Sequence, residues 1–138
     1  MRLAVITTIF MLSASSYALA STANEDAVAA AKVTLGEALY KSALLTGSMP
    51  DDKTNPVKAG QEMGAEMSQR LDNVVIAGLN QGADCDEITT NIQKSFEIMQ
   101  QQAVSQFAAN SAMKKAMDNV PLSAAQYASA QCQNLTNQ

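Results

Sequence analysis

Cys85 and Cys132 are the only two cysteines in a chain of 138 residues, and a bond between them would dictate how the C-terminal half folds. That bond would close a loop over residues 86–131. Whether it forms depends on the redox compartment, and the first twenty residues speak to that. Met1-Arg2 is a short positive start, Leu3–Leu12 (LAVITTIFML) is apolar, and Ser13–Ala20 turns small and ends in Ala18-Leu19-Ala20. This is the pattern of a cleavable export signal. Its apolar run is about half of the ~20 residues a membrane-spanning helix needs. We therefore expect cleavage after Ala20, with residues 1–20 as signal peptide and residues 21–138 as a single soluble helical domain. The expected location is periplasmic or secreted. No cysteine stands at the junction to take a lipid.

An exported chain with two cysteines is expected to hold one disulfide, Cys85–Cys132. Closing a loop of this size stabilises by roughly 4 kcal/mol in the chain-entropy account. A reactive thiol is the poorer reading. Cys85 lies in Asp84-Cys85-Asp86-Glu87, where three carboxylates disfavour a thiolate.

Charge narrows the partners. The chain carries 9 Lys+Arg against 13 Asp+Glu. Losing Arg2 with the signal leaves 8 against 13, a net charge of about −5. Nucleic acid demands a basic face, and anionic lipid does too, so neither is an expected partner. No second apolar run reaches spanning length, so no stable membrane insertion is expected after cleavage.

Ala, Gln, Met, Leu, Glu and Lys dominate, and no segment alternates as a strand does. A first helix is predicted from Glu25 to about Thr46, capped by Thr22 or Asn24, with Val28, Ala31, Leu35, Ala38, Ser42 and Leu45 as its buried stripe, widened by Leu39 and Leu44. Gly47 ends it, and Ser48–Asn55 is a polar loop. Asn55 as cap and Pro56 at the first position start a second helix running to about Asn80, where Gln81-Gly82-Ala83 breaks the chain. Gly60, Gly64 and Gly78 share a face with Val57, Met67, Leu71 and Val74. Three glycines there predict close approach of another helix backbone, inside the domain or, as the alternative, across a homodimer seam.

Asp84 caps a third helix, and Glu87 completes a capping box. Its stripe is Ile88, Ile92, Phe96, Met99, Ala103 and Phe107. Pro121 is expected to end the helical sequence that follows. Ser123 with Gln126 then starts a last helix with Ala125, Ala128, Cys132 and Leu135 inward. A straight helix over residues 85–119 would be ~52 Å long, and the last helix could not return from its end to Cys85. Bridged Cα atoms lie within ~7 Å. A break is therefore predicted at Asn110-Ser111, with the C-terminal segment folded back along the third helix. The expected fold is all-α, a small bundle of four to five helices with one disulfide.

Chemistry is constrained by what is missing. The chain has no histidine and no tryptophan, which removes the commonest general base, metal ligand and nucleophile systems. No phosphate loop, zinc spacing or calcium loop is present. Asp51-Asp52 and Asp84/Asp86/Glu87 are the only acidic clusters, and loop and capping roles account for them. Met63/Met67 and Met113/Met117 each stand four apart, one helix face per pair. Thioether pairs can hold Cu(I), while core packing and an adaptable binding groove are the competing roles. We expect no catalytic residue, metal or cofactor. The expected function is a non-enzymatic exported module that binds another envelope or secreted protein, as an adaptor, inhibitor, immunity protein or chaperone. Methionine-based Cu(I) or small-ligand binding is the alternative.

Overall fold

The computed structural model describes residues 10–47, 55–104 and 111–138. The first nine residues of the signal sequence, Asp51-Asp52, Phe107 and Asn110 lie outside the described residues. The described residues form four helices: α1 (Phe10–Leu45), α2 (Pro56–Asn80), α3 (Cys85–Val104) and α4 (Ser111–Thr136). The described residues contain no strand, and none of their helices is long and apolar enough to cross a membrane.

Local sequence sets most of the ends. Asn55 Oδ1 accepts the Val57 N–H at 3.0 Å and Pro56 follows at the first helical position, so α2 starts where its cap satisfies an orphan donor. Its far end closes through Gly82 at φ +86°. The Gly82 N–H donates to the Leu79 carbonyl at 3.0 Å and the Ala83 N–H to the Gly78 carbonyl at 3.1 Å. This paired closure needs a residue that tolerates the left-handed region. Asp84 Oδ1 then accepts the Glu87 N–H at 2.8 Å and starts α3.

Two helix boundaries differ from expectation. No cap near Glu25 interrupts α1, which begins at Phe10: Ala-rich sequence favours helix throughout, and Thr22 and Asn24 are carried inside it. Pro121 does not end a helix either. It lies inside α4, buried, and Ser123, expected as a cap, is buried in mid-helix. A proline in a helix interior costs about 3 kcal/mol. Met117 before it and Ala124, Ala125, Ala128 and Cys132 after it are all buried, and that packing holds one helix through the proline. The described residues therefore form four helices.

The chain does fold back along α3. Cys85 meets Cys132, and fifteen residues further along α3 Gln100 Nε2 donates to Asp118 Oδ1. Those two ties run in opposite chain directions, so α3 and α4 are antiparallel. α4 is the central element. It packs on α1, on α3 and on α2, whereas α2 and α3 touch little and the described parts of α1 and α3 do not meet. Small side chains on α4 allow this.

The core draws on all four helices: Leu35, Leu71, Val75, Ile88, Ile92, Ala124, Tyr127, Ala128 and Cys132. Among the described side chains of α1 the buried set is Leu35, Gly36, Ala38 and Ala43, while Leu44 and Leu45, both expected inside, are exposed. On α2 the exposed Val57 and Val74 depart from expectation in the same way, as does Met99 on α3, where half-buried Gln100 takes the inward position.

The glycines of α2 are covered from within the chain. α1 and α2 touch backbone to backbone at Gly36. A Cβ built on Gly36 would lie 2.2 Å from the Gly60 carbonyl oxygen and 3.4 Å from the Gly64 Cα, and one on Gly64 would lie 2.9 Å from the Lys32 carbonyl oxygen. Gly78 makes room instead for the Ile88 side chain, 2.7 Å from a built Cβ. The approach expected at Gly60 and Gly64 is thus intramolecular, and its partner is Gly36. Backbone atoms cannot yield as a side chain can. Gly36→Ala is expected to destabilise the protein by about 3 kcal/mol, read as a lower midpoint in urea unfolding. Ala65→Gly, on the half-buried flank of α2, should cost only about 1 kcal/mol.

Candidate functional site

Candidate sites in this molecule are its covalent bridge, one buried polar pair, a methionine pair and the open grooves between helices. The bridge joins the first residue of α3 to the last turns of α4, with the sulfurs 2.06 Å apart and the Cα atoms 5.7 Å apart. Cys132 is wholly buried within the core. Both thiols are consumed, so neither is a nucleophile or ligand while the bridge stands. Asp84 beside it is occupied as a cap, and no group of three His, Cys, Asp or Glu among the described residues could hold a metal ion.

The methionine pairs part ways. Met63 and Met67, with Leu39 of α1 and with Glu66 and Arg70, line a pocket of about 120 Å³. Met67 packs partly against the core. Met117 is buried in α4, so the Met113/Met117 pair is committed to packing at one of its two members.

The polar pair was invisible in the sequence. Tyr127 of α4 is buried, and its hydroxyl donates to Asp72 Oδ1 of α2 at 2.6 Å across 55 residues of chain. Burial pushes the phenol's pKa far up, and the Asp72 carboxylate adds to this by hydrogen bond and charge. Neither the alanine stripe of α4 nor the spacing of Asp72 signals it, because the pairing arises only where α2 meets α4.

Among the described residues, grooves lie open between the helices. Between α1 and α2, Val33, Tyr40, Pro56 and Val57 with Glu37 and Lys41 bound a groove of about 370 Å³. Between α1 and α4, one of about 320 Å³ includes Thr34, Asn119 and Gln126. Between α3 and α4, Glu97, Gln100, Gln101, Lys114 and Asp118 surround Pro121 and Leu122 in a groove of about 540 Å³. Its α3 wall carries Glu97, Gln100 and Gln101, and its α4 wall carries Lys114 and Asp118 followed by Pro121 and Leu122. That arrangement suits an extended or helical segment of another chain.

No protein-family model, curated protein or solved structure matches this chain.

The Tyr127–Asp72 contact has a pH signature. A phenol harder to ionise when folded than when unfolded contributes stability below its ordinary pKa of ~10 and loses it as pH rises above that value. Unfolding midpoints of the wild type should fall above about pH 10. Tyr127→Phe should remove that part of the alkaline loss while costing about 2 kcal/mol at neutral pH, the worth of a hydrogen bond to a charged group. Denaturant melts of both proteins from pH 7 to 11 check it.

Proposed function

We propose that this chain is an exported, non-enzymatic module that binds another envelope or secreted protein, in an adaptor, inhibitor, immunity or chaperone role. The observation that carries export is the buried Cys85–Cys132 bridge in a chain that starts with an export-type segment. A disulfide within a core is stable in an oxidising compartment. Among the described side chains, the first on α1 to pack against the core is Val28, so cleavage after Ala20 leaves that packing intact. Localisation to the periplasm or outside the cell follows from this reading.

Binding to a protein is supported by the α3–α4 groove. It is open and mixed in polarity, with Leu122 exposed beside Pro121. The bridge and the Gln100–Asp118 bond hold its two walls in register, and pre-formed walls lower the entropy cost of binding. The test is co-purification from the envelope fraction of the source cells, using the oxidised protein and Leu122→Asp. One stoichiometric partner that is lost with Leu122→Asp is the expected result. Many proteins enriched after unfolding stress would favour a chaperone, and no capture at all would count against protein binding.

The Met63–Met67 pocket favours a second reading, Cu(I) binding through paired thioethers. A competition titration with a colorimetric Cu(I) chelator decides it. Retention of Cu(I) by the wild type and its loss in Met63→Leu/Met67→Leu would support that reading, whereas equal behaviour would remove it.

A further inference from the structure

We propose that the α1–α2 face joins two copies of this chain into a two-fold dimer, with their α1 helices antiparallel. The inference stands apart from the protein-binding reading and uses a different face.

The outer crest of α1 carries Val33, Glu37, Lys41 and Leu44, all exposed and spaced as one helical stripe. It is flanked by Tyr40 and by Val57 of α2. Val57 is the most exposed large apolar residue among those described, at 68%, with Val33 at 58% and Leu44 at 51%. Such a cluster at the end of two packed helices is a surface that gains by being covered.

The order of side chains along the crest selects the occupant. Reading from either end gives apolar, charge, opposite charge, apolar. An isologous interface places the same patch against itself, residue i on j and j on i. An antiparallel pairing centred near residue 39 sets Glu37 of each copy against Lys41 of the other, twice. The same register sets Val33 against Leu44 of the second copy, again twice. Among the described residues neither Glu37 nor Lys41 forms an ion pair within its own chain, unlike Lys58–Glu62 and Glu66–Arg70 on α2. Val57 adds a third element. Gly60 packs at the level of Gly36 and Tyr40, and α2 runs antiparallel to α1, so Val57 one turn earlier is level with about Lys41, just past the middle of the stripe. The two-fold axis then brings Val57 beside Val57 of the second copy. A parallel pairing would oppose Glu37 to Glu37 and Lys41 to Lys41, which repel.

Charge reversal tests both the dimer and its register. Light scattering after size exclusion, over a concentration series of the oxidised protein at low salt, should show a dimer. Glu37→Lys and Lys41→Glu each place like charges together twice per dimer, and each should weaken association by about tenfold or more. The double variant Glu37→Lys/Lys41→Glu should restore it, because the opposed charges are exchanged but still complementary. Circular dichroism keeps the reading independent of folding, since both substitutions fall on exposed positions. A wild type that stays monomeric up to about 100 µM, far above typical specific affinities, would overturn the proposal. So would single reversals that leave association unchanged, or a double variant as weak as the singles. A monomer that instead binds a different protein through Val57 would overturn it in favour of that partner.

Discussion

The Cys85–Cys132 bridge ties α4 to α3 in one register, and α4 is the helix on which the other three pack. Ala124, Ala125 and Ala128 let neighbouring helices approach closely because they present little more than backbone. Tyr127 between them fills the remaining space and reaches Asp72. The bridge is worth roughly 4 kcal/mol in loop closure, a large part of the net stability of a small domain. That weight matters here because the core is built from alanine and glycine contacts as much as from large aliphatic side chains. Only Tyr127 and Phe96 bring described aromatic bulk to it.

The second constraint is the backbone contact between α1 and α2. Gly36 against Gly60 and Gly64 brings the helices too close for any side chain between them. One consequence is structural: α2 sits over α1 at the level where α4 also packs, so the three helices share Leu35, Leu71 and Val75. Another is at the surface. With its inner face pressed against α2 and α4, α1 turns Val33, Glu37, Lys41 and Leu44 outward. The grooves are products of the same geometry. They lie where crossing helices diverge, bounded by whichever residues the close contacts leave outside.

Several features were legible in the residues alone. The caps at Asn55 and Asp84 and the break at Gly82 depend on contacts within a few residues, and such contacts are encoded locally. The requirement that the chain fold back along α3 followed from helix length and disulfide reach. The candidate surfaces were not legible. Met99 and Leu45 keep perfect helical spacing with buried residues, yet both are exposed. A stripe defines a face, but only the neighbouring helix decides how far along that face burial extends. The groove at Leu122 escaped for a related reason: a proline that reads as a stop became the interior of α4.

The residues by themselves determined the helical class, the caps and turn that bound α2 and start α3, the pairing of two cysteines and the absence of histidine. Each of these rests on local propensity, composition or a single distance limit. Tertiary structure alone decided that α4 is central, that Gly36 is the partner of Gly60 and Gly64, that Tyr127 finds Asp72, and which apolar side chains remain in solvent. Those outcomes depend on competition among helices for contact area. Packing overrode the ~3 kcal/mol cost of Pro121 because the turns on either side of it bury more than the proline loses.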